Sequence, residues 1–181
     1  PSKEWKKRNY DESWYPGETL ISAIGQGFVL ANPLQLAIMT SIIASDGNNI
    51  KPNIIKENKI TQFSKLDKYK DAINIIKNSM FKVVNENKGT AYSSRSEIAP
   101  FAGKTGTSQV RRITVAERES DDFRKKEVEW KKRDHALFVG YMPIEKPKYA
   151  VSVVIEHGGS GASTAAPIAK EIFQFTKNLE I

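Results

Sequence analysis

No cysteine occurs among the 181 residues. That absence excludes a disulfide framework, a thiolate nucleophile and any cysteine metal site, and it leaves the compartment open, because periplasmic proteins need not use disulfides. No apolar run approaches the ~20 residues that span a bilayer, and the N-terminus lacks the charged-then-apolar pattern of a signal peptide. Any membrane anchor is therefore expected outside this chain, with no membrane contact by the chain itself. Histidine is scarce: His135 and His157 stand in no ligand spacing with each other or with a carboxylate, so no metal is expected and hydrogen-bonding roles are the default for both. Internal repeats and low-complexity tracts are missing as well.

What is present is a hydrophobic fraction of 39% with eight Phe, six Tyr and three Trp, the composition of a folded globular chain. Its length suits one folding unit with a real core. The net charge is +7 with a pI near 9.5, concentrated in two places. Lys3, Lys6, Lys7 and Arg8 crowd the first segment, and between Arg111 and Arg133 nine basic residues outnumber six acidic ones. Mixed signs in a run such as "ERESDDFRKKEVEWKKRD" mark a solvated loop or exposed helix rather than a nucleic-acid face, so an exposed excursion is expected over about 111–134 and no nucleic-acid partner.

Two helices are predicted in the first half. "NPLQLAIMTSIIASDG" offers Asn32 as N-cap, Pro33 at the first helical position and Gly47 as the stop, and its apolar residues run almost all round, the pattern of a buried helix. After an extended piece near Ile50 to Ile55, the stretch from Leu66 to Val84 places Ile73, Ile76, Met80 and Val84 at helical spacing, with Gly89 beyond its end. The period then changes. "FAGKTGTSQV", "ALFVGYMP" and "YAVSVVIE" are short, β-branched and aromatic, and bounded by Pro, Gly and charge, which predicts three strands. "PIEKPK" is short enough to join the last two as an antiparallel hairpin. From Ser163 to Leu179 a final helix is predicted, with Pro167 in its first turn and Ile168, Ile172, Phe175 and Leu179 as the face that covers the sheet. The fold class is α+β: an antiparallel β-sheet flanked by helices.

Gly103-Lys104-Thr105 invites a phosphate-loop reading, which fails on geometry. The glycine needed five positions before Gly103 is Ile98, and the interval holds Pro100, which has no N–H, and bulky Phe101. On a strand, Lys104 and Gly106 face one way and Thr105 and Thr107 the other, while the glycine marks a close backbone approach. A cation, two hydroxyls and an unblocked strand edge suit an extended peptide ending in a carboxylate, and Gln109, just past the motif, is within reach of such a ligand. "GGSGA" around Ser160 nearly spells the nucleophile elbow of an α/β-hydrolase, but its fifth position is Ala162 and no histidine follows His157, leaving a glycine-rich turn into the last helix. Gly25-Gln26-Gly27 reads as a turn rather than a ligand cradle.

Taken together and in order, "IGQGFVLANPLQLAIMTSIIASDG", "MFKVVNENKGTAY", "FAGKTGTSQV", "DHALFVGYMP", "YAVSVVIEHGGSG" and "AAPIAKEIF" resemble the C-terminal part of the transpeptidase domain of class B penicillin-binding proteins, most closely the cell-elongation branch called penicillin-binding protein 2. The likeness runs from about Trp14 to Phe175. It implies a partial serine β-lactamase/transpeptidase-like fold, with residues 1–181 the C-terminal portion of one such domain, and three motifs: Ser-x-x-Lys, Ser-x-Asn and Lys-Thr-Gly. Carried over, Lys104 and Thr107 are the catalytic candidates and Thr105, Gly106, Thr107 and Gln109 the substrate-binding ones. Lys104 brings positive charge beside the nucleophile and the substrate carboxylate, Thr105 and Thr107 hydrogen-bond that carboxylate, and the Thr107 N–H is an oxyanion donor. No serine passes the Ser-x-Asn test. The one Ser-x-x-Lys match, Ser79 to Lys82, falls inside the second helix, away from the nucleophile's place in the family. The first two motifs are thus expected upstream of this chain, which alone is expected to be inactive.

The resemblance also implies D-Ala-D-Ala stem peptides and β-lactams as ligands and elongation-machinery proteins as partners of the parent. It places the parent on the periplasmic side of the bacterial inner membrane, with no metal or organic cofactor. A serine β-lactamase, a D,D-carboxypeptidase or a non-catalytic penicillin-recognising domain are the alternatives, separated by deacylation behaviour and by whether the parent holds the two missing motifs.

Overall fold

The computed structural model describes residues 1–55, 62–63, 66–111, 119 and 128–179. Most of the charged run expected as an excursion lies outside the described residues. The chain divides into two compact units, Pro1–Asn32 and Pro33–Ile181.

The first unit holds helices α1 (Lys3–Tyr10) and α2 (Pro16–Ala23). Ser2 caps α1 by accepting from the Trp5 N–H at 3.1 Å. Pro16 opens α2, where its missing N–H costs nothing, and Glu18 reaches back to accept from the Tyr15 N–H at 2.7 Å. Trp5, Tyr10 and Phe28 form a ring cluster with centroids 5.2–5.6 Å apart. The turn at Gly25-Gln26-Gly27 is present, with both glycines at positive φ.

One member of the basic N-terminal cluster is not a surface charge. Lys6 is only 1% exposed; its Nζ lies 2.5 Å from Glu18, 3.3 Å from Glu12 and 4.3 Å from the centre of the Tyr15 ring. Burial works against the Lys6 charge, but hydrogen bonds to Glu18 and Glu12 outweigh it and hold the ammonium above the ordinary lysine range. The same bond from Lys6, opposed by burial and helped by the Tyr15 N–H, holds the Glu18 carboxyl below its ordinary value of 4.5. A carboxyl lowered on folding contributes stability above its unfolded pKa and loses it as pH falls through its folded pKa. Amide hydrogen exchange in α1 and α2 should therefore accelerate as pH falls below about 4.5, after correction for intrinsic rates. Glu18→Gln should be less protected at neutral pH and lack most of that acid-dependent change. An unchanged acid response in Glu18→Gln would remove Glu18 as its source.

In the second unit, α3 (Pro33–Ala44) is followed by a two-residue antiparallel ladder of β1 (Asn49–Ile50) and β2 (Gln62–Phe63), then α4 (Lys70–Asn85). β3 (Ala102–Ser108), β4 (His135–Met142) and β5 (Tyr149–Ile155) form a three-stranded antiparallel sheet in that order. A wide π-type turn, Gly161–Ala165, leads into α5 (Ala166–Asn178). All three strands and the hairpin fall where the β-branched and aromatic runs and their Pro, Gly and charged boundaries predicted them.

Register sets the two faces of the sheet. Ala102 pairs with Tyr141, Lys104 with Val139, Gly106 with Leu137, and Gly103 with Gly140, Thr105 with Phe138, Thr107 with Ala136; paired residues share a face. On the first face Ala102 and Tyr141 pack with Ala44 of α3 and Met80 of α4. Burial pushes the Tyr141 hydroxyl above its ordinary pKa, and the Asp46 carboxylate adds to the shift. Lys77 of α4 closes the end of α3, donating to the Ala44 carbonyl at 3.2 Å and to Asp46 at 2.6 Å. On the second face Phe138, Ala136 and Met142 pack with Phe101, Ala165, Ala166, Ala169 and Phe173.

Two expectations about helix faces are corrected. α3 is not buried all round: Thr40 and Ala44 are buried, whereas Leu34 and Met39 are exposed. One side of α3 meets β4 and β5, and the other borders an apolar groove of about 540 Å³ shared with α4 and lined by residues including Ile38, Ile42, Ile73 and Ile76. α5 covers the sheet, but not with the predicted face. Ala166, Ala169 and Phe173 are buried, while Ile168, Ile172, Phe175 and Leu179 are exposed. The physical reason is shape: Phe138 of β4 and Phe101, just before β3, already fill the surface below, so the helix approaches on alanines. Its one large buried side chain, Phe173, fits where Gly140 has no Cβ.

Candidate active site

β3 pairs with β4 on one side, and among the described residues no strand lies on the other. Backbone groups alternate along an extended strand. The Phe101 carbonyl accepts from Asn85 Nδ2 at 3.0 Å on the α4 side, whereas the Ala102 carbonyl points at β4, since a Cβ on Gly140 would lie 2.8 Å from it. By the same alternation, the N–H and C=O groups of Thr105 and Thr107 lie along the open edge. Lys104 is exposed and its Nζ donates to the Thr105 carbonyl at 2.6 Å. Thr107 is exposed, Thr105 and Gly106 half-buried, and Gln109 exposed just past the strand.

The turn before α5 presses on this strand from the other face. A Cβ at Gly161 would fall 2.4 Å from the carbonyl oxygens of Gly106 and Leu137, so only glycine lets the turn approach β3 and β4 this closely. In the sequence Gly161 is only part of a glycine-rich turn, and a glycine cluster after a strand does not by itself distinguish conformational freedom from close contact. Thr90 was also missed. Its hydroxyl lies 2.9 Å from that of Thr105, and nothing in the local sequence relates a residue beyond α4 to one fifteen positions later.

The serines discounted earlier are engaged in ordinary ways. The Ser79 hydroxyl donates to the Ile75 carbonyl one helical turn back at 2.8 Å, and Lys82 Nζ lies 3.9 Å from Glu86. Ser160 opens the π-type turn, its carbonyl accepting from the Thr164 N–H at 3.0 Å. His135 and His157 hold one end of the sheet together: the His157 N–H donates to His135 Nδ1 at 2.9 Å, and His157 Nδ1 lies 3.0 Å from the Arg133 carbonyl. Among the described residues, no group of three or more His, Asp and Glu side chains could hold a metal ion. No helix among them is long and apolar enough to cross a membrane.

An antiparallel sheet with a Lys-Thr-Gly strand at its edge, one helix across its second face and two helices on its first, is a partial serine β-lactamase/transpeptidase-like fold. The chain belongs to the penicillin binding protein transpeptidase domain family, whose model matches residues 4–174. It is 32% identical over 192 residues to the peptidoglycan D,D-transpeptidase MrdA of Haemophilus influenzae, covering 98% of this chain and 28% of that protein. Against the MrdA of Acinetobacter baumannii it is 34% identical over 185 residues, covering 97% of this chain and 26% of that one. Among solved structures, the complex between a penicillin-binding protein (PBP2) and MreC from Helicobacter pylori matches at a TM-score of 0.80 and 32% identity, over 99% of this chain and 30% of that chain. The chain thus spans less than a third of the length of these relatives. The likeness to penicillin-binding protein 2 seen in the motifs is borne out across nearly the whole chain.

Proposed function

We propose that this chain supplies the Lys-Thr-Gly wall of the active site of a peptidoglycan D,D-transpeptidase that cross-links stem peptides through an acyl-serine intermediate. The observation that carries the reading is the open edge of β3: Lys104 is exposed beside it, and the Thr105 and Thr107 backbone groups point along it. An extended peptide laid there adds a strand to the sheet, and its terminal carboxylate meets the Thr105 and Thr107 hydroxyls and the Lys104 charge. Gln109 lies at the far end, within reach of the peptide.

In the reaction, a serine from a Ser-x-x-Lys motif outside this sequence attacks the carbonyl carbon of the penultimate D-Ala. The carbonyl oxygen takes on negative charge, which the Thr107 N–H stabilises as one of two donors. The peptide C–N bond breaks, the terminal D-Ala leaves with a proton, and the acyl group passes to an amine of a neighbouring strand, regenerating the serine. A β-lactam presents the same carbonyl and carboxylate, and its ring opens without a departing group. The complete protein works outside the cytoplasm, on the periplasmic side of the inner membrane. The structural relative solved with MreC supports elongation-machinery partners.

Fluorescent penicillin followed by denaturing electrophoresis tests the reading. The complete protein should take a covalent label, and the 181-residue chain alone should take none, because Ser79 is bonded to its own helix. Label on Ser79, or a complete protein that is never acylated, would overturn it.

A further inference from the structure

We propose that Thr90 is a positioning residue for carboxylate recognition, setting the direction of the Thr105 hydroxyl proton; the proposal rests on the transpeptidase reading. The Thr90 and Thr105 hydroxyl oxygens lie 2.9 Å apart, and either could donate. Each hydroxyl has one proton and two lone pairs, whereas an ionised carboxylate only accepts. If Thr105 donates to Thr90, it has only lone pairs for the substrate and repels it. If Thr90 donates to Thr105, the Thr105 proton is free for the carboxylate, and polarisation along the chain strengthens the second bond. A bound carboxylate thus selects the arrangement in which Thr90 is the donor.

The loop is built to present Thr90 in one place. The Gly89 N–H bonds to the Glu86 carbonyl at 2.8 Å and the Ala91 N–H to the Val83 carbonyl at 3.0 Å. A Cβ on Gly89 would lie 2.2 Å from the Val83 carbonyl, and Ala91 is fully buried in the core under α5. Thr90 is therefore an exposed side chain on a backbone fastened on both sides to the end of α4. That end is in turn tied to β3 by the bond from Asn85 Nδ2 to the Phe101 carbonyl. A surface hydroxyl pair formed by chance would not need such anchoring.

The test uses the complete protein, including its Ser-x-x-Lys motif, and compares second-order acylation by a penicillin with that by its methyl ester, which lacks the carboxylate charge. Thr90→Val should slow acylation by the free acid about three- to tenfold, the scale of one neutral hydrogen bond, and change the ester rate by less than about twofold. Thr90→Ser should restore most of the free-acid rate. In a Thr105→Val background, Thr90→Val should have no further effect. Equal losses on acid and ester, additive losses in the double variant, or a wild-type rate in Thr90→Val would overturn the proposal while leaving the transpeptidase reading standing. Absence of acylation in the wild-type protein would overturn that reading and the proposal together.

Discussion

Lys104→Ala in the complete protein is expected to slow β-lactam acylation by on the order of a hundredfold or more, the scale of losing an oxyanion-type stabiliser. Lys104 is exposed, and its ammonium lies against the Thr105 carbonyl on the open edge of β3. Removing it costs no core packing, so the sheet should remain folded by circular dichroism. In the proposed role the ammonium acts on nucleophile activation as well as on the substrate carboxylate, so the loss should appear in the chemical step. Thr107→Ala keeps its backbone N–H and, in the proposed role, loses one hydrogen bond to a charged group, roughly 1.5 to 3 kcal/mol, so it should be the milder variant. Stopped-flow acylation kinetics on both would decide. A wild-type rate in Lys104→Ala with the fold intact would reduce "KTGT" to an ordinary strand.

The largest expected effect on stability is at Phe173. Its ring lies 5.0 Å from that of Phe101, which stands edge-on to Phe138 at 6.0 Å, and all three are essentially out of water. Phe173→Ala removes the one large side chain that α5 inserts into this cluster and should cost about 3 to 5 kcal/mol. Against a typical total of about 5 to 15 kcal/mol, that is enough to leave the chain partly unfolded. Phe175 is 64% exposed, and Phe175→Ala should cost less than about 0.5 kcal/mol. Urea denaturation of the two variants separates the observed helix face from the one predicted by periodicity. Equal midpoints would mean that α5 does not dock through Phe173.

The chain also shows how far residue types alone carry the site. Lys104 to Thr107 were legible because the motif is contiguous and lies on a strand bounded by clear punctuation. Ser79 could be set aside because its match falls on an amphipathic helix, where its hydroxyl serves the backbone. Thr90 could not be found this way: its relation to Thr105 is made by the packing of a loop against the end of α4. Nor could the surroundings of Lys6: the sequence shows it only as one of four basic residues crowding the first segment, whereas two carboxylates and two aromatic rings enclose it.

By itself the sequence determined the three strands of the larger sheet, their antiparallel hairpin, the existence of α3, α4 and α5 though not of α1 and α2, the edge motif and the lack of a nucleophile in its expected setting. Each of these follows from local periodicity, turn chemistry or a contiguous pattern. Only the tertiary structure decided which stripe of α5 is buried, that α3 keeps an exposed apolar side, that Gly161 lies against the backbone of β3 and β4, and that Thr90 meets Thr105. Periodicity says that a helix has an apolar stripe, but the stripe that docks is chosen by the shape of the surface opposite. Where that surface already carries Phe101 and Phe138, close packing favours alanines and one well-placed ring over a more hydrophobic face that does not fit.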